Sequence, residues 1–216
     1  MNKTQKETLK SLNIELTEDK EMIFEKYAEL FLERNSILNL ISKNDEKFLF
    51  EKHIFDSLAI NKFLGPLRGP AETKTLLDIG TGGGFPSVPV SLLYDEIEVH
   101  ALDSIKKKIN AIEHIKQELN IKNLKPVCER AENIKEKFDY ITTRAVAPVD
   151  TILRYAAPRL KENGYFIAYK SKRAMDELKD AQKTIKRMKL EVADVIEYTL
   201  PLDEVYERNL IIFKTK

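Results

Sequence analysis

The residues whose types and spacing could do chemistry are Asp78, Gly80, Gly82 and Gly84, inside the run Leu76-Leu77-Asp78-Ile79-Gly80-Thr81-Gly82-Gly83-Gly84-Phe85-Pro86. A short apolar run that stops at glycines predicts a buried strand, and the apolar and small residues over 85–93 predict a helix behind it. Glycines at such a junction let backbone approach a ligand closely and leave N–H groups aimed above the strand end. The chemistry on offer is nucleotide binding. The dinucleotide fingerprint Gly-x-Gly-x-x-Gly fails, because counted from Gly80 its third glycine falls on Phe85, a ring where close helix packing wants none. A nicotinamide cofactor is disfavoured on that ground. The plain alternative is a glycine turn that only joins a strand to a helix.

Asp78, two residues before the first glycine, completes an acid-x-Gly-x-Gly-x-Gly pattern that resembles motif I of S-adenosylmethionine-dependent methyltransferases. Asp103 ends the next predicted strand, about 20 residues beyond the glycines, where an acid commonly accepts from ribose hydroxyls. Its alternative role is to cap the helix that follows. Ala131 and Glu132 follow the third strand, where adenine lies in this architecture, although Glu132 taken alone reads as a surface acid. Arg144 stands directly after the fourth strand, at the end where ligands bind in open α/β sheets. A buried guanidinium needs an anion, and the methionine carboxylate of the cofactor or an RNA phosphate are the candidates.

Lys170 and Arg173 follow the fifth strand and are candidate contacts to RNA phosphates, which give affinity without sequence choice. His53 and Asp56 lie three apart on a predicted helix and read as a structural hydrogen-bonded pair that docks the helical segment, with a catalytic role as the alternative. Neither His100 nor His114 has a companion at metal-ligand spacing, so no metal site is expected. Cys128, the one cysteine, excludes an internal disulfide and reads as a packed small residue ending an apolar stretch. No residue is singled out as a catalytic acid or base.

The elements that must position these groups divide the chain at about residue 70. Residues 1–70 read as a helical segment. Thr17 is the N-cap of a helix carrying Ile23, Tyr27, Leu30 and Phe31 on one face, and a second helix over 45–63 carries Phe48, Phe55, Leu58 and Ala59. Gly65-Pro66 and Gly69-Pro70 mark a linker. Over 71–216, strands at 75–79, 98–103, 124–128, 138–143 and 165–170 alternate with helices at 85–94, 105–119, 149–160 and 174–188, which predicts a parallel α/β sheet. Two strand-like runs at 191–200 and 209–214, with no helix between them, predict a closing antiparallel pair.

With 216 residues, 43% hydrophobic and 33% charged, the chain suits one globular domain with a small appendage. No apolar run approaches the ~20 residues of a membrane span, and the polar start does not read as a signal peptide, so a cytoplasmic location is expected. The formal net charge of +1 gives no global pull toward nucleic acid.

Taken together, these segments resemble the RsmG family, also called glucose-inhibited division protein B, the guanine-N7 methyltransferases of bacterial small-subunit rRNA. The resemblance runs over nearly the whole chain. It is carried by Asn39-Leu40, His53-Ile54-Phe55-Asp56-Ser57-Leu58, the run from Leu77 to Pro86, Asp103-Ser104 with Lys107-Lys108, Arg130-Ala131-Glu132 and Arg144-Ala145-Val146-Ala147. It implies a class I, Rossmann-like methyltransferase fold with an N-terminal helical extension, S-adenosylmethionine as cofactor, and 16S rRNA or the small ribosomal subunit as partner of a monomeric enzyme. It also implies that Gly80, Phe85, Ala131, Glu132 and Arg144 contact the cofactor. Two rivals differ in substrate or class: a methyltransferase for a small molecule or protein, which would not need basic strand ends, and a non-catalytic RNA-binding or assembly protein.

Overall fold

A computed structural model describes residues 1–67 and 73–216. Helix α1 (Lys3–Lys10) starts with a capping box in which Asn2 Oδ1 accepts from Gln5 N–H and Gln5 Oε1 accepts from Asn2 N–H. Helix α2 (Glu18–Leu38) has Thr17 as N-cap and Glu18, Asp19 and Glu21 in its first turn, where the helix dipole favours acids. It ends at Asn39, whose left-handed backbone (φ 50°) asparagine tolerates. Its buried face is Phe24, Tyr27, Phe31 and Asn35, with Ile23 and Leu30 partly buried beside it.

The single helix expected over 45–63 is instead broken into α3 (Lys43–Glu46), a π-helical stretch (Leu49–Phe55), α4 (Asp56–Leu58) and α5 (Asn61–Leu64). A π turn is wider than an α turn, and apolar spacing at 3.6 residues does not distinguish the two over so short a run. A 3₁₀ turn (Gly65–Leu67) follows. The expected Gly69-Pro70 break and the 70/71 boundary lie outside the described residues.

The rest alternates as the sequence predicts: β1 (Lys74–Ile79), α6 (Ser87–Leu93), β2 (Ile97–Asp103), α7 (Lys106–Glu118), β3 (Leu124–Cys128), β4 (Phe138–Arg144), α8 (Val149–Ala156), β5 (Leu160–Ser171), α9 (Ala174–Arg187), β6 (Leu190–Leu200) and β7 (Tyr206–Thr215). The sheet order is β3-β2-β1-β4-β5-β7-β6. Neighbours from β3 to β5 are parallel, while β7 runs antiparallel to both β5 and β6. The strand order reverses between β1 and β4, the switch point at whose carboxyl ends open α/β sheets bind ligands. Among the described residues no helix is long and apolar enough to cross a membrane.

Each face of the sheet has its own apolar cluster. Helices α8 and α9 cover one, with Ile152, Leu153, Leu178 and Ile185 joining Ile141, Phe166 and Phe213. On the other, Tyr27, Phe31, Phe55 and Leu58 of the helical segment share a cluster with Val88 and Ile112 and with Tyr169, Leu210 and Ile212 of the sheet. Burying each such side chain contributes about 1.5–3 kcal/mol, so the segment is held to the sheet by its core. Polar contacts fix the seam: Tyr169 Oη donates to Ser57 O at 2.7 Å, Tyr94 Oη donates to Asn61 Oδ1 at 2.6 Å, and Lys20 Nζ donates to Leu92 O at 2.6 Å.

Candidate functional site

Four adjacent parallel strands end at one cleft of about 380 Å³, within the roughly 300–1,000 Å³ typical of small-molecule sites. Its walls are Ile79 and Gly80 after β1, Leu102, Asp103 and Ser104 after β2, Glu129 to Glu132 after β3, and Ala145 and Val146 after β4, with Lys108 at the edge. The fold thus brings Gly80, Asp103, Ala131 and Glu132 together. Glu132 is exposed, and its backbone O accepts from Arg159 Nη2 at 2.8 Å, which anchors the loop.

The glycine loop is held from within. Gly80 and Thr81 N–H both donate to Leu102 O, Gly84 and Phe85 N–H both donate to Thr81 O, and Gly82 N–H donates to Asp103 Oδ2 at 3.1 Å. The sequence predicts free N–H groups at this turn. In the structure these five are used to brace it, because a left-handed turn packed on β2 presents four of them to backbone carbonyls and the fifth to the Asp103 carboxylate. Gly80, Gly82 and Gly84 all have positive φ, at 74°, 60° and 101°. A Cβ at Gly82 would meet nothing closer than Gly80 O at 4.0 Å, so backbone is bare on that side. Asp103 also takes Ile105 N–H at 2.9 Å and Lys108 Nζ at 3.3 Å. A carboxylate offers about four lone-pair sites, so it keeps acceptor capacity for a hydroxyl. Both the bare loop and this acceptor fit a nucleoside-bearing cofactor.

Asp78 lies beneath the loop, fully buried, with Oδ1 accepting from Thr142 Oγ1 at 3.0 Å on the neighbouring strand. Burial pushes its carboxyl up to about 6. Its position is structural, supporting the turn from below the cleft. Phe85 is buried in a cage: its ring centroid is 4.9 Å from that of Phe31, 5.0 Å from that of His53 and 6.2 Å from that of Tyr27, and Arg144 Cζ lies 5.2 Å from it.

Arg144 has an anion within the chain that the sequence did not indicate, Asp56: Nη1 donates to Asp56 Oδ2 at 2.9 Å and to Lys52 O at 3.0 Å, and Nη2 faces His53 Nδ1 at 3.0 Å. The guanidinium turns from the end of β4 toward the helical segment, where the buried Asp56 carboxylate accepts its hydrogen bond. Since Nδ1 accepts from an obligate donor, the His53 proton sits on Nε2. Burial, reinforced by the Arg144 charge, lowers His53 to about 4, so it is neutral at physiological pH. His53 and Asp56 do join the segment to the sheet, as expected, but each meets Arg144 in place of the hydrogen bond expected between the two.

Sequence reasoning missed the other half of this cluster. Arg208 Nε and Nη2 donate to the two Asp56 oxygens at 3.0 and 2.8 Å, and Tyr198 Oη donates to Oδ1 at 2.6 Å. Burial alone would raise the Asp56 carboxyl, but Arg208 and Arg144 outweigh it and hold it below the usual carboxylate range. The sequence carried no signal for these partners, since Tyr198 and Arg208 come side by side only when β6 and β7 pair.

Of the two substrate candidates, Lys170 departs from expectation. Lys170 Nζ is buried, donating to Ala147 O at 2.7 Å and pairing with Glu177 at 2.8 Å. Glu177 also accepts from Val149 N–H, so Lys170 fixes the start of α8 rather than facing solvent. Arg173 is exposed at the start of α9. Cys128, expected to be packed, is exposed, because the carboxyl end of edge strand β3 opens beside the cleft.

The fold has solved counterparts. Ribosomal protein L11 methylase from Lactobacillus delbrueckii subsp. bulgaricus superposes with a TM-score of 0.56 at 16% identity, covering 76% of this chain and 79% of that one. M. jannaschii TYW2 in complex with AdoMet superposes with a TM-score of 0.54 at 14% identity, covering 67% and 70%. At these identities the likeness is one of fold. Sequence relatives are nearer: a "Ribosomal RNA small subunit methyltransferase G" from Lysinibacillus sphaericus (strain C3-41) is 35% identical over 96% of this chain and 87% of its own length. The protein of the same name from Alkaliphilus oremlandii (strain OhILAs) is 36% identical over 98% and 89%. A family model described as "GidB: rRNA small subunit methyltransferase G" matches residues 20–209. A glycine-turn cleft at the switch point, with likeness to this family along almost the entire chain, leads to one conclusion: the chain belongs to the GidB family of rRNA small subunit methyltransferases G.

Proposed function

We propose that this protein transfers the methyl group of S-adenosylmethionine to N7 of a guanosine in 16S rRNA, as naked RNA or within the small ribosomal subunit. The observation that carries the reading is the family match over residues 20–209, which includes every strand end that lines the cleft. When bound, S-adenosylmethionine supplies an electrophilic methyl group. Guanine N7 has a lone pair and no proton, so the chain needs no general base, in keeping with a site whose histidine, His53, is neutral and engaged with Arg144.

The work of the residues is then to hold and orient. Asp103, which braces Gly82, would accept from ribose hydroxyls, the Ala131-Glu132 backbone would hold the adenine, and Gly80, Gly82 and Gly84 would let backbone approach the rest of the cofactor. Asp78 and Phe85 support the loop, and Arg144, locked on Asp56, keeps the end of β4 in register with it. Orientation of this kind supplies roughly 7–11 kcal/mol of barrier reduction. The division into residues 1–70 and 71–216 assigns the helical segment to clamping this site through Phe85. A monomer in the cytoplasm accords with the same reading.

The test is methyl transfer to bacterial small-subunit rRNA, naked and assembled, with the modified atom mapped. Methylation of guanine N7 at one position is expected. Methyl on a different atom, or none on either substrate, overturns the proposal.

A further inference from the structure

A base presented for N7 methylation must be unstacked, and its neighbours on the strand need somewhere to go. A surface suited to them lies beside the Arg144 cluster. Lys52 Nζ is 5.0 Å from the Phe48 ring centroid and 5.7 Å from that of Tyr206, and Lys47 Nζ is 4.9 Å from that of Phe48. Tyr206 opens β7 with 43% of its surface exposed, although its ring is apolar. Two parts of the chain remote in sequence therefore place aromatic rings and ammonium groups together at the surface.

The position is as telling as the composition. Lys52 O accepts from Arg144 Nη1, and Arg144 is followed directly by Ala145 and Val146 in the cleft wall. Arg208, two residues after Tyr206 and so on the same face of β7, reaches Asp56. One carboxylate there serves two guanidiniums while His53 is neutral, which leaves one positive charge in the Asp56–Arg144–Arg208 group, while Glu204 faces Lys52 from the loop before β7. The Lys52 charge is balanced by Asp45 at 2.7 Å. A ring set among charges of this kind suits an RNA base and its phosphate better than an apolar helix.

We propose that Tyr206, with Phe48 and Lys52, is the stacking platform for a nucleotide adjacent to the target guanosine, an inference that rests on the chain being an rRNA methyltransferase. Every base has a π face, so such a platform gives affinity with little sequence choice.

The experiment measures binding of a small-subunit rRNA transcript by fluorescence anisotropy, and of S-adenosylmethionine by calorimetry, for wild type, Tyr206→Ala and Tyr206→Phe. Tyr206→Ala is expected to weaken RNA binding by about 5- to 100-fold, while Tyr206→Phe stays within about twofold of wild type. Both should keep the wild-type affinity for S-adenosylmethionine. Lys52→Gln, which removes a charge already paired with Asp45, should weaken RNA binding less than Tyr206→Ala does. RNA affinity unchanged in Tyr206→Ala, equal damage from Tyr206→Phe, or a parallel loss of cofactor affinity overturns the platform. A wild type that methylates rRNA beside an undisturbed Tyr206→Ala defeats this inference alone; a wild type that does not methylate rRNA defeats the proposed function as well.

Discussion

Arg144 Nη1 donates to Asp56 Oδ2 at 2.9 Å across 88 positions of the chain, so the end of β4 and the helical segment are tied at a buried carboxylate. Removing one partner of a buried pair leaves charge uncompensated, here two guanidiniums. Asp56→Ala should cost about 3–5 kcal/mol in urea unfolding. A double-mutant cycle with Arg144→Ala should give a coupling of about 1–3 kcal/mol. A coupling near zero would make the contact incidental.

The glycines of the loop should not be equivalent. At Gly82 an added Cβ finds open space, so Gly82→Ala pays only for its positive φ, about 1–2 kcal/mol. At Gly80 the Cβ would come 2.5 Å from Val146 Cγ2, but Val146 is 45% exposed and can turn away. At Gly84 it would come 2.7 Å from Val88 Cγ2, which is fully buried in α6. Thermal unfolding should rank the damage Gly84→Ala, then Gly80→Ala, then Gly82→Ala, and Val146→Ala should relieve the second only.

Two buried groups should oppose each other in mild acid. His53, lowered to about 4, resists the proton that the unfolded chain accepts near 6.5, so its contribution to stability is lost as pH falls from 6.5 toward 4. Asp78, raised to about 6, binds a proton that the unfolded chain does not, so stability is gained as pH falls from 6 toward 3.8. Each effect is about 3 kcal/mol at full extent. His53→Gln should therefore make the protein relatively more stable at pH 4.5 than at pH 7, and Asp78→Asn relatively less. Identical pH profiles for both variants and wild type would contradict the burial of these groups.

Lys170 and Arg173 should separate in function. Lys170→Ala breaks contacts to Ala147 O and Glu177 and should cost about 1–3 kcal/mol of stability. Arg173→Ala, at an exposed site, should change stability by less than about 0.5 kcal/mol. If an RNA phosphate is met at this strand end, loss of RNA affinity on Arg173→Ala at constant stability is the readout.

Much of the architecture was written locally. The alternation of strands and helices from β1 onward and the closing strand pair follow from apolar periodicity and glycine punctuation, which act over a few residues. Gly80, Asp103, Ala131 and Glu132 lie on one cleft because parallel strands put their carboxyl ends together, so a position after a strand is already a position in space. The π-helical stretch was not legible, since one turn of a different width leaves the apolar pattern almost unchanged.

What the tertiary structure alone decided is where the charges go. Arg144 and Lys170 read as ligand-facing cations because both stand at strand ends, yet Arg144 turns to Asp56, 88 positions away, and Lys170 to Ala147 O and Glu177 on the neighbouring elements. Tyr198 and Arg208 gave no local sign of meeting Asp56, nor Tyr206 of meeting Lys52. The physical reason is range. Backbone conformation and apolar periodicity are set by near neighbours, whereas a buried guanidinium is directed by whichever carboxylate the finished fold brings within hydrogen-bonding distance.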